Sequence, residues 1–524
     1  MAAKDRRPRI RRRAYLALLL SLFGACVLFG AAYVSHVRWD LSEGQIYTLS
    51  SSTRALLAKL DEPIEIRAYV TSGLPQPYGR LRRFLEDMLR AYHEAGHGKI
   101  GFDVIDPSGN PNQAAALQAM HIPRVQVQVV EDDQARVKQG YLAVVVEYLD
   151  KKAVIPVVKN ETGFEYTLTS KIKQLTGKGR KTIGVVAGFG AKPLDALQQF
   201  SKMVASEYKL VPVHPDKKPI PEDVQALIVP QFEKPPSKVM RYALDQFRMS
   251  GRGMLILAGN VEPQLNLGFR VRAVDAKANA WLRDIGISVE PGLVMDPSAS
   301  RVTVNQSQGV LTFRSIVDYP FLPRVTDING DTPVGHGLKA VSVPFASPLV
   351  WTDDTHGTVL LRSSPDAAVQ HGPDYDVDPL VSMKKRFEGL ARRQVNLALE
   401  LDGTAHSAFD AAPAAASDVV KVNRMTQAGH QRVIVVGSGS LLDNEFVDGN
   451  NKVLILNSLD WLSHDERLIS LRTRGITDRP LPQLSSAVRK VWKGIWMFGL
   501  PFLVVLIGMW RWRRIKRASV GRVA

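Results

Sequence analysis

Two long apolar runs, one near each end and each fenced on its outer side by cations, constrain this chain more than any other feature. Residues 14–35 (AYLALLLSLFGACVLFGAAYVS) contain no charged side chain. As a helix rising about 1.5 Å per residue, the run is long enough for a hydrocarbon core of about 30 Å. The second run, residues 491–510, is interrupted by Pro501 and bracketed by Trp492, Trp496, Trp510 and Trp512, side chains that favour the membrane–water interface. Both runs are read as transmembrane helices, the second kinked at its proline.

Charge then sets the orientation. RRPRIRRR (residues 6–13) precedes the first run and RWRRIKR (residues 511–517) follows the second. Cationic flanks stay on the cytoplasmic side, so the tails 1–13 and 511–524 are assigned to the cytoplasm. The expectation is a two-pass protein of the bacterial inner membrane with its bulk on the extracytoplasmic side. A cleaved signal peptide is the rival, since GAAYVS offers small residues. Such apolar regions run to about 7–15 residues, however, and an uncleaved anchor is favoured.

The formal net charge of +17 belongs mostly to the two tails, which together hold +12. It therefore does not point to nucleic acid, and basic pairs such as Arg82 and Arg83 have no interleaved aromatics, as a nucleic-acid surface would. Cys26, the only cysteine, lies inside the first run. The body thus has no disulfide, no thiol nucleophile and no Cys-ligated zinc, and its stability rests on packing. At 524 residues and 45% hydrophobic, the chain is large enough for two or three domains.

Residues 36–176 read as one α/β unit. Ser50 to Ser52 cap a short helix through Leu60, and Ile64–Val70 alternates as a strand. Tyr78–Tyr92 carries Leu81, Leu85, Met88, Leu89 and Tyr92 on one helical stripe. Strand Ile100–Ile105, helix Asn112–Met120 and strands at Val125–Val130, Tyr141–Tyr148 and Ala153–Val158 follow, the last two as a hairpin around LDKK. This order resembles a thioredoxin-like layout, with HIPRVQVQ (121–128) placing a proline before a strand. SGLPQPYG stands where a thioredoxin's catalytic thiols would lie, so that chemistry does not transfer.

A basic, glycine-rich break, TGKGRK (176–181), opens residues 177–480. Buried-strand patterns at Thr182–Val186, Ala226–Pro230, Met254–Ala258, Pro348–Trp351, Val395–Leu401 and Arg432–Val436 alternate with helices at Ser237–Met249, Asn279–Ile285 and Val453–Ser463. That alternation predicts a doubly wound, mainly parallel Rossmann- or flavodoxin-like sheet. Residues 297–345 look irregular, and 364–385 and 402–425 read as long surface loops.

Within this frame the chemical motifs are weak. His93, Glu94 and His97 spell HExxH, in which two imidazoles on one helical face hold zinc and the glutamate acts on a bound water. Gly96 lies between the histidines, Gly98 follows, and a strand begins by Ile100. The motif straddles a helix end, and the histidines are better read as last-turn cations favoured by the helix dipole. VVAGFGAK (185–192) and VVGSGSLLDN (435–444) each place GxG after a strand, but neither completes GxGxxG and no GxxxxGK[ST] occurs, so turn glycines are expected and no ATP site. Ser438 and Ser440 are expected as capping hydroxyls, and Asp106, Asp296, Asp353, Asp354 and Asp443 as solvated or turn-forming carboxylates. No catalytic, cofactor-binding or metal-ligating residue is assigned.

WDLSEGQIYTLSSSTRALLAKLDEPIEIRAYVT (39–71), KIGFDVIDPSGNP, YLAVVVEYLDKKAVIPVV, VIVVGSGSLLDNEF and NKVLILNSLDWLSHDERLISLRTRG (451–475) resemble the GldG-like family, auxiliary components of ABC-type transport systems first associated with gliding motility. The resemblance covers most of the chain. It implies a non-enzymatic, membrane-anchored subunit that works beside an ABC-2 type permease and a separate ATPase, and it implies no catalytic residue. Asp40–Leu49 is the segment expected to transmit position between membrane and body, being short. The alternatives are a zinc metallohydrolase built on HEAGH and an envelope scaffold unrelated to transport.

Overall fold

The computed structural model describes residues 47–473 except 77, 132–133, 178–179, 265–268, 309–310, 353–356, 417–418 and 421–423, together with Asp40 and scattered positions within 21–24 and 488–512. The chain separates into two compact units, Met1–Asp478 and Arg479–Ala524. Most of the two apolar runs lies outside the described residues. Among the described residues no helix is long and apolar enough to cross a membrane.

In the larger unit, Ser50 caps helix α1 (Ser51–Leu57) by accepting from the Thr53 amide. The expected continuation to Leu60 does not form, and the chain turns into strand β1 (Ile64–Val70). Helix α2 (Tyr78–Ala95) buries Leu81, Phe84, Leu85, Met88, Leu89 and Tyr92 on one stripe. At about 1.5–3 kcal/mol per side chain, that stripe carries the helix up to Gly96. There a Cβ would come within 2.7 Å of Ile100 Cγ1, so the close turn into strand β2 (Ile100–Ile105) requires glycine.

Helix α3 (Pro111–Ala119) leads to β3 (Val125–Glu131), which pairs with β4 (Gln134–Gly140) in a separate antiparallel ladder. β5 (Leu142–Tyr148) and β6 (Lys151–Ile155) are joined by the two-residue turn Leu149–Asp150. The main sheet has the order β2-β1-β5-β6, with β1 parallel to β2 and the other pairs antiparallel. The sequence predicts three strands after α3; there are four, because the polar QARVKQG of β4 carries no apolar alternation. Helix α4 (Phe164–Thr176) then packs on this sheet through Phe164, Leu168, Ile172 and Leu175.

A ten-stranded sheet follows. Its parallel half contains β7 (Lys181–Val186), β8 (Tyr208–Val213), β9 (Val224–Val229), β10 (Gly253–Leu257) and the chain's last strand (Gln427–Val436), in the order β8-β7-β9-β10-last. Helix α5 (Gln198–Val204) lies over the face built on Ile183, Ala226 and Ile228, and α6 (Lys238–Met249) over the face built on Leu227, Val229 and Met254. β7, β9 and β10 are therefore buried on both sides, as their continuous apolar runs require, while the edge strand β8 stays partly exposed.

The rest of the sheet corrects the expectation of a mainly parallel arrangement. Strands β11 (Ile287–Val289), β14 (Leu349–Trp351), β15 (Thr358–Arg362) and β16 (Asn396–His406) all run antiparallel to their neighbours, and β16 pairs antiparallel with the last strand, β17. A parallel return needs a crossover, usually a helix. Here β16 returns to β17 through residues 407–426, where the described residues hold only a short 3-10 turn at Ala414–Ala416.

Residues 297–345, expected as irregular, hold a long hairpin, β12 (Ala299–Gln308) with β13 (Leu311–Val325). The two expected surface loops are pinned by buried arginines. Arg248 on α6 pairs with Asp245 at 2.9 Å and donates to His406 O, while Asp245 accepts from Ser407. Arg386, on helix α7 (Met383–Arg386), donates to the Asp376 and Asp378 carbonyls and lies over the Phe321 ring. Helices α8 (Asn450–Leu462) and α9 (Ile469–Thr473) close the unit.

Candidate functional site

The two histidines of HEAGH do not project from one continuous helix. Helix α2 ends at Ala95, and His97 sits beyond it at φ 48°, followed by Gly98 at 86°. The reversal into left-handed backbone takes His97 off the helical face that carries His93. His93 Nδ1 lies 2.5 Å from the Ile100 carbonyl oxygen, and its ring packs edge-on against Phe102. Among the described residues no three His, Cys, Asp or Glu side chains are grouped to hold a metal ion.

The second candidate is the crevice at the carboxyl ends of the parallel strands, which in open α/β sheets opens where the winding reverses. Here that point lies between β7 and β9. The loop after β7 contains Gly188 at φ 113°, Phe189 at 53° and Gly190 at 79°. It is stitched to the loop after β9 by two backbone hydrogen bonds, from the Glu233 and Lys234 amides to Phe189 O at 3.0 and 3.1 Å.

The two GxG segments meet across this edge. Lys192 Nζ reaches both Asp443 oxygens at 2.8 and 2.7 Å. Burial pushes the Asp443 carboxyl up, against the pull of Lys192. Gln231 is wedged between Gly259 and Gly439; a Cβ at Gly259 would come within 2.7 Å of its Oε1, and one at Gly439 closer still. Ser438 donates to Pro344 O and accepts from the Ser440 amide. The strand ends are thus occupied by the protein's own side chains.

Of the remaining carboxylates, Asp106 forms the expected turn. Burial alone would raise it, but hydrogen bonds from Ser108 and Ser72 hold it well below the usual carboxylate range. Asp296 is fully buried rather than solvated, accepting from the Ser298 amide and from the Ser364 amide and hydroxyl at 2.7–2.8 Å. Asp353 and Asp354 lie outside the described residues.

A further polar cluster, which sequence patterns do not assemble, forms on α4. On the entry side, Asp40 accepts from the Tyr47 amide at 2.8 Å and the Thr48 hydroxyl at 3.2 Å. The Tyr47 ring meets Phe84, which meets Phe164 at the start of α4, with centroids 5.7 Å apart at each step. The Ser50 amide donates to Glu165 Oε1 at 2.7 Å, and Thr53 and Tyr92 both bond the Thr169 hydroxyl.

On the exit side, Arg472 of α9 is fully buried. Its guanidinium forms an ion pair with Asp460 at 2.8 Å and with Glu207 at 3.0 Å, donates to Asn457 Oδ1 at 2.8 Å, and lies over the ring of Tyr166 on α4. Burial pushes the Asp460 carboxyl up while Arg472 draws it down. Ser52 and Ser470 then join the entry and exit helices directly, 3.3 Å apart. The sequence signal was weak: Arg472 sits beside Leu468, Ile469 and Leu471 in LISLRTRG, but Arg467 and Arg474 flank it and nothing in the spacing singles it out as buried.

Beside this cluster lies a cleft of about 720 Å³, bounded by the carboxyl half of α4 and the amino ends of β7, β8 and β9. Lys173 on α4 and Lys181 on β7 both approach Asp465 there, at 2.9 and 3.7 Å.

Comparison with known proteins adds the following. A family described as "ABC-type uncharacterized transport system" matches residues 180–463, and a domain of unknown function matches residues 43–147. An uncharacterized protein of Borreliella burgdorferi is 19% identical over 340 residues, 64% of this chain and 65% of that protein. The chain therefore spans a little under two thirds of the curated relative it matches. Among solved structures, the mmIFT52 N-terminal domain has a TM-score of 0.33 at 14% identity, covering 54% of this chain and 97% of that one. A ThuA-like protein from Parabacteroides merdae has a TM-score of 0.29 at 12% identity, covering 55% and 90%.

Proposed function

We propose, for a chain that belongs to the GldG-like auxiliary family of ABC-type transport systems, the role of a non-enzymatic, membrane-anchored auxiliary subunit whose folded body stands outside the cytoplasm. Residues 14–35 and 491–510 would span the membrane, leaving the tails 1–13 and 511–524 in the cytoplasm beside an ABC-2 type permease and a separate ATPase. The body would comprise a thioredoxin-like unit (36–176) and a doubly wound unit (177–480). The order β2-β1-β5-β6 supports the first assignment. The order β8-β7-β9-β10-β17 supports the second, since it is the 2-1-3-4-5 order of flavodoxin-like sheets.

The observation that carries this reading is the convergence of both ends of the body on α4. A subunit that reports between membrane and body needs its two connections held by one rigid element. Ser50 bonded to Glu165, and Arg472 stacked on Tyr166, provide that. The closed strand-end crevice further favours a surface and docking role over a cofactor-dependent one. Co-purification of the full chain in mild detergent is the test: a permease and an ATPase are expected to accompany it. Recovery of the chain with envelope proteins alone would favour the scaffold and overturn the transport role.

A further inference from the structure

Glu400, on β16, is 4% exposed, and its Oε2 has no hydrogen-bond partner. We propose that Glu400 competes with Glu466 for Arg432, so that loss of the Glu400 proton releases the turn leading into α9. A buried carboxyl oxygen left unpaired is tolerated far better on a neutral group than on an ionised one. Burial and the Asp402 charge accordingly push Glu400 up from the ordinary carboxylate range to about 7, and Arg432 is the cation that opposes them. In the β16–β17 register Glu400 lies opposite Ile434 and Asp402 opposite Arg432. Glu400 and Arg432 are therefore diagonal neighbours on one face, a spacing that long side chains bridge.

Arg432 is already engaged. Its Nη1 donates to Glu466 Oε1 at 2.6 Å and to Trp461 O at 2.7 Å, and its guanidinium lies over the Trp461 ring. It thereby joins β17 to the end of α8 and to the 3-10 turn Glu466–Leu468, which runs directly into α9. Of the two carboxylates, Glu466 is 41% exposed, so water can replace its partner, whereas buried Glu400 has no such recourse. An ionised Glu400 gains more from Arg432 than exposed Glu466 loses. His430 biases the exchange in the same direction. Its Nε2 lies 3.2 Å from Arg432 Nε, a donor, and 3.1 Å from Asp402 Oδ1, an acceptor. A neutral imidazole accepts from Arg432 and holds it to the sheet, while a protonated one donates to Asp402 and repels Arg432 toward Glu466. Among the described residues the other titratable groups at this edge are His464, its ring 6.3 Å from that of His430, and Asp465, which pairs with Lys173 and Lys181. Low pH thus leaves Arg432 on Glu466, and rising pH draws it to the sheet.

Amide hydrogen exchange of the full chain in mild detergent tests this, measured from about pH 5.5 to about pH 8.5 and expressed as protection relative to the intrinsic chemical rate at each pH. Protection of residues 466–471 is expected to fall by up to about tenfold per pH unit above about 7, the limit for one released proton, while the centre of α8 keeps its protection. Glu400→Gln mimics the neutral carboxyl and should hold the turn closed, with less than about a twofold change across the range. Glu466→Ala removes the partner that is released and should bring protection at low pH down to the level the parent reaches at high pH. No fall in the parent, a parallel fall in Glu400→Gln, an equal loss along α8, or parent-like protection in Glu466→Ala would overturn it. The inference goes beyond the auxiliary-subunit reading, and no permease or ATPase enters the measurement, so it and the co-purification can fail separately.

Discussion

Replacing Arg472 with methionine tests the exit-side cluster most directly. The aliphatic stem is kept, so little cavity opens, but the guanidinium leaves Asp460, 1% exposed, and Glu207 without their cation. Removing one partner of a buried ion pair costs about 3–5 kcal/mol, because the remaining charge stays desolvated. Asp460, already pushed up by burial, would shed part of that cost by taking up a proton. At about 2.1 cal/mol/K of unfolding entropy per residue, a body of this size has an unfolding entropy near 0.9 kcal/mol/K, so Tm should fall by about 3–5 °C. The assay is thermal unfolding of the full chain in mild detergent, with tryptic cleavage after α9 as a local readout. Arg472→Met combined with Asp460→Asn should recover about half of the loss. A Tm drop below about 1 °C, or no recovery in the double variant, would refute the claim that a desolvated charge pair holds α9 to the body.

Three further outcomes are expected. Burial and the Asp402 charge, opposed by Arg432 and aided by Glu466, push Glu400 from 4.5 up to about 7. The folded chain keeps this proton where the unfolded chain has lost it, so stability falls as pH rises between those values. Glu400→Gln should flatten the dependence in melts across that window, and an unchanged slope would count against the burial argument. Gly439→Ala drives a methyl into Gln231 and should cost about 1–3 kcal/mol by overpacking, mostly recovered when Gln231→Ala is added; a neutral single variant would mean the strand-end crevice is open. Metal analysis of the purified chain should find zinc below stoichiometry, while one zinc per chain lost on His97→Ala would reinstate the hydrolase reading.

Legibility in the sequence followed how many faces of an element are buried. β7, β9, β10 and β17 are covered on both sides, so their continuous apolar runs announced them. The hairpin β12–β13 leaves Phe313 and Ile316 exposed and interleaves polar side chains, and it read as irregular. The loop around Asp376 and Asp378 looked free because its anchor, Arg386, works through backbone carbonyls, which leave no mark on side-chain type. Gly96 and Gly98 mark the end of the HEAGH helix in the sequence, and the helix does end at Ala95, with His97 and Gly98 beyond it at positive φ.

By itself the sequence determined where the apolar runs and cationic tails lie, that no disulfide can staple the body, and which segments alternate as strand and helix. These are local properties, carried by composition and period. Only the tertiary structure decided that Lys192 meets Asp443 across 251 positions, that Glu165 receives the Ser50 amide, and that Arg472 sits among Asp460, Glu207 and Tyr166. Such encounters depend on the order in which strands are laid into the sheets, a choice made by the packing of whole elements and not by the residues that meet.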